Sequence, residues 1–436
     1  MAKTFGIDKS LGFKIDDIKY HPYSIIGKKA SSLGTLVNLG LPVPSGFVLT
    51  GEAYRRFLDE NDVYPNLSKP MEIPQRIRIG GTSEMLYNVI ERLYREMSAS
   101  HGTSRGRVIV RSSPFHIGYP DLIFEGLSET RTNISGTDQI IVAYRDVISS
   151  IFTDKEITYR QTHGISHDGM YMPVIVQMMI TPLVSGIMSL VDPNTGDPNT
   201  LVIEANWGSN KYVSRGFIVP DRYYVDKNNG RLRNMEIANK TRMVVPNEEF
   251  EGRLVEEEVA EGMRLQPCLT HDKVAELFNY GATLERFYGS PQFVEWLIDK
   301  ITGRLFISET RLIPSTKKGT YIKSMREESD ILLRGIPASP GYVYGRVRIV
   351  RTEKEIDGIK PGEIMVIPEA SPIYSIGLSR VSAVVSNFGG GTCHLANLCR
   401  EANVPAVMGT NIATDILTDG MEVVVDSNEG IVYKQK

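Results

Sequence analysis

The sequence lacks the features that would tie it to a membrane, a disulfide framework or a nucleic acid. Only three cysteines occur in 436 residues, Cys268, Cys393 and Cys399, an odd number without CxxC spacing, so neither disulfides nor a zinc site is expected. No stretch approaches the roughly 20 uninterrupted apolar residues that span a bilayer. The opening Met1-Ala2-Lys3-Thr4-Phe5-Gly6 has no apolar core of the kind a secretory signal carries. A reducing cytoplasm is therefore the expected location. With 49 basic and 52 acidic residues well mixed along the chain, the formal charge is −3. That leaves no basic stripe to neutralise a phosphate backbone, and nucleic acid is not an expected partner. Nor is there an internal repeat or a low-complexity tract.

What is present suffices for two or three domains, each able to bury its own core. The texture changes at Pro314, where Ser315-Thr316-Lys317-Lys318-Gly319 and a charged run over 323–330 interrupt the apolar segments and predict a linker over 314–333. Before it, helical patterns over 30–39 and 85–97 alternate with strand-like runs at 108–110, 174–178 and 201–204, which predicts a mixed α and β region over 1–313. After it, β-branched runs at 343–350, 364–367, 383–385 and 422–425, with one helical pattern over 393–402, predict a compact domain over 334–436 with few helices. Asp192-Pro193-Asn194-Thr195-Gly196-Asp197 packs turn formers between two extended runs and predicts a hairpin loop.

Residues with chemistry to offer fall into two groups. In the later domain, Asn387-Phe388-Gly389-Gly390-Gly391-Thr392-Cys393-His394 ends a strand in glycines and opens a helix on a histidine. Glycines leave backbone amides free to face an anion at the positive end of a helix. Imidazole is a neutral-pH nucleophile able to carry a phosphoryl group and pass it on. The same pattern also describes a capped helix with a satisfied histidine. In the earlier region, Ile26-Gly27-Lys28-Lys29-Ala30 sets a glycine and two lysines before a helix, either a phosphate cradle without the Walker A pattern or a solvated surface. Arg111 ends an apolar strand, where its guanidinium suits either a triphosphate oxygen pair or a structural carboxylate. Val174-Ile175-Val176-Gln177-Met178-Met179-Ile180 reads as a core strand or as an apolar surface for a purine, with backbone amides for its edge. Residues 291–296 and 305–311 read as a hairpin turned near 300–303, with Glu309 and Arg311 on one face. An acid from each strand, Glu295 and Glu309, suits Mg²⁺ between phosphates, or simply a charged sheet face.

Thr392-Cys393-His394-Leu395-Ala396, Arg400-Glu401 and Val404-Pro405-Ala406-Val407-Met408-Gly409, at their spacing, resemble the phosphohistidine domain of a dikinase family. That family includes phosphoenolpyruvate synthase, pyruvate phosphate dikinase and rifampin phosphotransferase. Gly335-Ile336-Pro337-Ala338-Ser339-Pro340-Gly341 resembles the segment that opens the same domain. The likeness runs from Gly27 to Gly430 with its blocks in the family's order. It implies an α/β plus α+β chain: an ATP-grasp-like nucleotide-binding domain over 1–313, a linker over 314–333, and a swivelling β/β/α phosphohistidine domain over 334–436. It also implies His394 as the phosphate carrier and Lys29 as a phosphate-contacting lysine. Arg111, Gly126 and Thr130 become phosphate or ribose neighbours, and Gln177, Met178, Met179 and Ile180 the adenine hinge. Glu295 and Glu309 become metal ligands with Arg311 beside them, so ATP and Mg²⁺ are the expected cofactors. Cys393 and Cys399 are read as packing residues. The chain departs from the family at Ile117-Gly118, where an acidic pair is usual, at Lys211, which replaces an acid, and at Glu309, where glutamine is usual.

The activity the resemblance implies is ATP-dependent phosphotransfer with paired acceptors, of the pyruvate, water dikinase kind. A phosphohistidine forms on His394 and is delivered to an acceptor, giving AMP and phosphate. One imidazole cannot sit beside ATP and beside a distant acceptor at once, so its domain is expected to travel. Larger members carry a barrel after the histidine domain, or a drug-binding domain before it. Here the chain passes from Arg311 to the linker and ends at Lys436, so the acceptor is expected to be an unidentified small molecule or to be presented by a separate acceptor-domain protein. Ile117-Gly118 and Lys211 motivate a different class, a nucleotide-sensing relative without catalysis. The acceptor's identity, the recipient of the γ-phosphoryl group and the oligomeric state are not legible in the sequence.

Overall fold

The computed structural model describes residues 10–63, 72–119, 129–162, 164–166, 168–247, 254–313 and 330–435. Two compact units emerge: residues 1–180, 246–255 and 306–309 form the first, and residues 181–245, 256–305 and 310–436 the second.

The first unit is built on a five-stranded antiparallel sheet in the order Gly12–Lys14, Gly46–Leu49, Val174–Met178, Arg107–Ser112, Thr130–Ser135. Its helices form because their apolar residues recur every three or four positions. In Glu84–Ser100 the stripe is Leu86, Val89, Ile90, Leu93, Tyr94 and Met97, all buried. The helix Gly51–Glu60 starts where the Thr50 hydroxyl accepts the Ala53 N–H at 3.2 Å, a side-chain cap of the usual kind. Phe57, Ile90, Tyr144 and Val176 meet in one core, each worth about 1.5–3 kcal/mol for leaving water.

In the second unit, Pro182–Ser189 and Thr200–Trp207 pair antiparallel around the turn formers at 192–197. There Asp192 Oδ1 accepts the Asn194 N–H at 2.9 Å, so the hairpin expected at that point is present. These strands are flanked by Asp221–Asp226 on one side and Gln292–Asp299 on the other. The strand Leu305–Leu312 follows a turn closed by Gly303 N–H to Asp299 O, and its residues divide between the two units.

The eight-stranded sheet of the second unit is mixed. Tyr342–Ile349, Ile364–Glu369, Ala383–Phe388 and Ala406–Met408 run parallel. Antiparallel strands close both flanks, among them Ile331–Arg334 and Ile336–Ser339. Residues 331–333 of the expected linker are therefore paired in a sheet, while 314–329 lie outside the described residues. Helix His394–Glu401 is the crossover between Ala383–Phe388 and Ala406–Met408. Cys393, Leu395, Ala396 and Cys399 are buried with Ile367 and Met408. Parallel strands joined by such a crossover leave their carboxyl ends open, which is where ligands of α/β sheets gather. The helix bearing His394 starts at that end. The chain is mixed α and β with several sheets, as the sequence patterns predict. No helix among the described residues is long and apolar enough to cross a membrane.

Candidate functional site

Backbone geometry sets the site in the second unit. After Phe388 the chain turns through Gly389, Gly390 and Gly391 into Thr392, Cys393 and the half-buried His394, the first residue of its helix. The Gly391 N–H donates at 2.7 Å to one carboxylate oxygen of Glu204, and the Thr392 N–H donates at 3.1 Å to the other. The Thr392 hydroxyl donates to that same oxygen. Three donors immediately ahead of a helix start thus converge on one anion, the arrangement that backbone amides and a helix dipole favour. Gly390 is required by proximity: a Cβ there would lie 2.6 Å from Glu204 Oε2.

On its carbonyl side the same loop is held by cations and amides. Arg400 is buried and donates to Gly391 O at 2.8 Å, to Ala338 O and to Asn397 Oδ1. The Asn397 amide in turn donates to Thr392 O at 3.3 Å. Burial pulls the Arg400 pKa down to about 10, with neighbouring acidic groups, Glu204 among them, pushing it back up. The guanidinium stays charged at neutral pH and sits 6.0 Å from the Phe293 ring centroid, and Arg311 lies 5.3 Å from the same ring. Glu204, Arg400, Arg311, Phe293 and the glycine loop therefore make one electrostatic neighbourhood around the start of the His394 helix. Glu295 lies on the strand Gln292–Asp299, opposite Ile187.

Cys393 precedes His394 but is fully buried, and desolvation pushes its thiol up to about 11. A thiol in that condition is packing material, not a neutral-pH nucleophile.

The first unit gathers a different set. Gly27 takes φ 78° inside helix Tyr23–Asn38, and a Cβ there would stand 1.7 Å from the Ser113 carbonyl oxygen. Close approach is fixed as well by the Ala30 N–H donating to Ser113 Oγ at 3.1 Å. Lys29 thus stands half-buried where helix Tyr23–Asn38 meets the end of strand Arg107–Ser112. Arg111 forms an ion pair with Glu309, donates to Ser308 O at 3.3 Å, and faces Thr130 across the sheet. A carboxylate partner, one of the two readings open for Arg111 in the sequence, is present in Glu309. Gln177 turns into the core, donating to Pro44 O at 3.1 Å. The Met178 and Met179 N–H groups donate to Ser45 O and Arg107 O. Those amides are committed to the fold, so a base edge beside Met179 and Ile180 would have to be met by other groups. Gly126 lies outside the described residues.

Two central residues, Glu204 at the end of the expected strand 201–204 and Arg400, were given no role by the sequence. Glu204 is the one charged residue in the strand Thr200–Trp207, all of which is buried. An acid in such a run is a signal that a partner exists, although it does not say which. Arg400 on a helix with an apolar face carries the same kind of signal.

The description "Pyruvate phosphate dikinase, AMP/ATP-binding domain" matches residues 23–330, and "PEP-utilising enzyme, mobile domain" matches residues 359–430. A probable phosphoenolpyruvate synthase of Pyrococcus horikoshii is 30% identical over 472 residues, covering 96% of this chain and 58% of the relative. The phosphoenolpyruvate synthase of Pyrococcus furiosus is likewise 30% identical, over 474 residues, with the same coverage. A probable phosphoenolpyruvate synthase of Methanothermobacter thermautotrophicus is 31% identical over 429 residues, 94% of this chain and 61% of the relative. The chain thus spans about three fifths of the length of these curated relatives. With both descriptions matched in order, and with the histidine loop at the start of its helix, the chain belongs to the pyruvate phosphate dikinase family, with an AMP/ATP-binding region followed by a PEP-utilising mobile domain.

Proposed function

We propose that the chain is an ATP-dependent phosphotransferase of the dikinase type. ATP, water and an acceptor give AMP, phosphate and a phosphorylated acceptor by way of a phosphohistidine on His394. The observation that carries this reading is the loop ahead of His394, whose three donors already hold an oxyanion in the form of the Glu204 carboxylate. A phosphoryl oxygen asks for the same donors. The finer assignments belong to the same proposal: an ATP-grasp-like nucleotide domain over 1–313, a linker over 314–333, and a swivelling β/β/α domain over 334–436.

On this reading Lys29, Arg111 and Arg311 balance the phosphates. Thr130, with Gly126, borders them, and Gln177 to Ile180 lie along the base. Glu295 and Glu309 are hard oxygen donors of the type that suits Mg²⁺, which usually takes one or two carboxylates together with phosphate oxygens. Bound there, Mg²⁺ would neutralise charge building on the phosphates. The protein's own part is to orient His394, to keep its loop donors in place, and to hold Glu309 against Arg111. The name shared by the relatives points to pyruvate as the acceptor. Because the chain spans about three fifths of their length, a separate protein presenting the acceptor is the second version.

Intact-mass measurement after incubation with Mg-ATP tests the proposal. One acid-labile phosphoryl group is expected on the wild-type chain, together with AMP in solution. His394→Ala should reduce both to background. AMP release at the wild-type rate from that variant would refute the reading.

A further inference from the structure

Glu204 is a puzzle that phosphoryl transfer through His394 does not by itself require. It is 1% exposed, in the middle of a strand with no other charge, and its carboxylate fills the cradle ahead of His394. Its backbone is directly opposite Arg222 across the antiparallel ladder, so both side chains leave the same face of the sheet. Beside them lies a cavity of about 50 Å³, lined by Glu204, Arg222, Tyr224, Ile336, Pro337 and Gly391, enough for a water or two. Arg222 is itself ion-paired with Glu236, and Asp192 also lines the cavity, so the second polar environment beside the carboxylate is a shared cation with room for water.

We propose that Glu204 is a positioning residue that holds the His394 loop by filling its anion cradle, and that a phosphoryl group arriving on His394 evicts it. The inference rests on the function proposed above. In the unmodified protein the Glu204 carboxylate fixes Gly391 and Thr392 from the N–H side while Arg400 and Asn397 fix them from the carbonyl side, so the imidazole is presented in one orientation. In the transfer step the imidazole lone pair attacks the β-phosphorus and forms the N–P bond, the P–O bond to the α-phosphate breaks and AMP leaves with the electron pair. Water then cleaves the β–γ P–O bond, releasing phosphate and leaving one phosphoryl group on the ring. The other ring nitrogen retains its proton. Two negative charges then arrive beside a buried carboxylate that shares the same three donors. Like charges cannot both occupy that cradle, and Glu204 moves toward Arg222. The loop is thereby held firmly before phosphoryl uptake and loosened after it. The tie runs from the region matched by the AMP/ATP-binding description to that matched by the mobile domain, so its loss is a release signal for the mobile one.

Hydrogen exchange and single-turnover labelling on the full chain test this, comparing wild type with Glu204→Gln, Glu204→Asp and Thr392→Val. Before labelling, amide exchange over 389–394 should be at least tenfold faster in Glu204→Gln than in wild type, with Glu204→Asp partly restored. Phosphoryl uptake by His394 from Mg-ATP should slow tenfold or more in Glu204→Gln while nucleotide affinity stays within twofold. After stoichiometric labelling, wild type and Glu204→Gln should converge in exchange over 389–394. Equal exchange before labelling, uptake at the wild-type rate, or a difference that persists after labelling would each overturn the proposal. If wild type takes up no phosphoryl group, the function above and the eviction step fail together, whereas the exchange difference still judges the holding contact. Should Glu204→Gln not fold, Thr392→Val removes one of the three donors and carries the same comparison.

Discussion

Cys393 illustrates how little a neighbour in sequence says about chemistry. It stands next to His394, but its side chain points into the core with Leu395, Ala396 and Cys399, and burial raises its pKa to about 11. At pH 7 the thiolate is then on the order of one part in ten thousand. Iodoacetamide at pH 8 should leave Cys393 of the folded protein unmodified over hours. Cys393→Ala should label His394 within about twofold of wild type, at a cost of about 1 kcal/mol or less in stability. Fast alkylation of Cys393, or loss of labelling in the folded variant, would contradict this. Reading Cys393 and Cys399 as packing came from the family resemblance, and the structure places both in the core. The role of Glu204 was not legible in the sequence, since its partners are 187 and 188 residues away and no local pattern encodes that distance.

Among the elements, the helix Tyr23–Asn38 depends on one residue. Gly27 interrupts it at φ 78°, ψ 165°, and the strand end at Ser113 presses against the open side. Gly40 also has positive φ, at 71°, but nothing lies within 4 Å of a Cβ built there. Gly40→Ala should therefore cost only the backbone term, about 1–2 kcal/mol. Gly27→Ala adds a clash with a main-chain oxygen that cannot rotate away, and about 3 kcal/mol or more is expected. Urea unfolding of the two variants checks the contrast, and equal midpoints would show that Ser113 yields easily. The sequence showed a glycine and two lysines before a helix. That the glycine serves a strand end 86 residues later became visible only when Ser113 was placed beside it. Periodicity did locate elements such as Glu84–Ser100 and Val174–Met178, because apolar spacing of 3.6 or 2 follows from burying one face.

For the whole molecule, the response to pH combines acids held low by partners, such as Glu96 beside Lys14, with acids that folding strips of water. Burial raises the pKa of Asp426 above its ordinary value near 3.8. Its Oδ1 accepts the Asn428 N–H, whereas its Oδ2 has no hydrogen bond among the described residues. A carboxylate whose folded pKa is raised binds more protons folded than unfolded, so its contribution to stability falls as pH rises through the window from about 3.8 to the raised value. Asp426→Asn keeps the acceptor to Asn428 and removes the charge. The variant should match wild type in thermal midpoint near pH 3 and exceed it near pH 7 by a few degrees, roughly the effect of 1 kcal/mol in a unit of this size. A midpoint difference that does not change with pH would exclude the ionisation as its cause. By itself, the sequence determined the mixed α and β class, several of the strands and helices, the hairpins at 192–197 and near 300–303, and the histidine at a helix start. All of these depend on local spacing and turn chemistry. Only the tertiary structure decided what the glycine loop holds, that Arg111 pairs with Glu309, and that the Met178 and Met179 amides are committed to the sheet. Those facts depend on which distant groups share a buried space, where an unpaired charge or amide costs more than any local preference supplies.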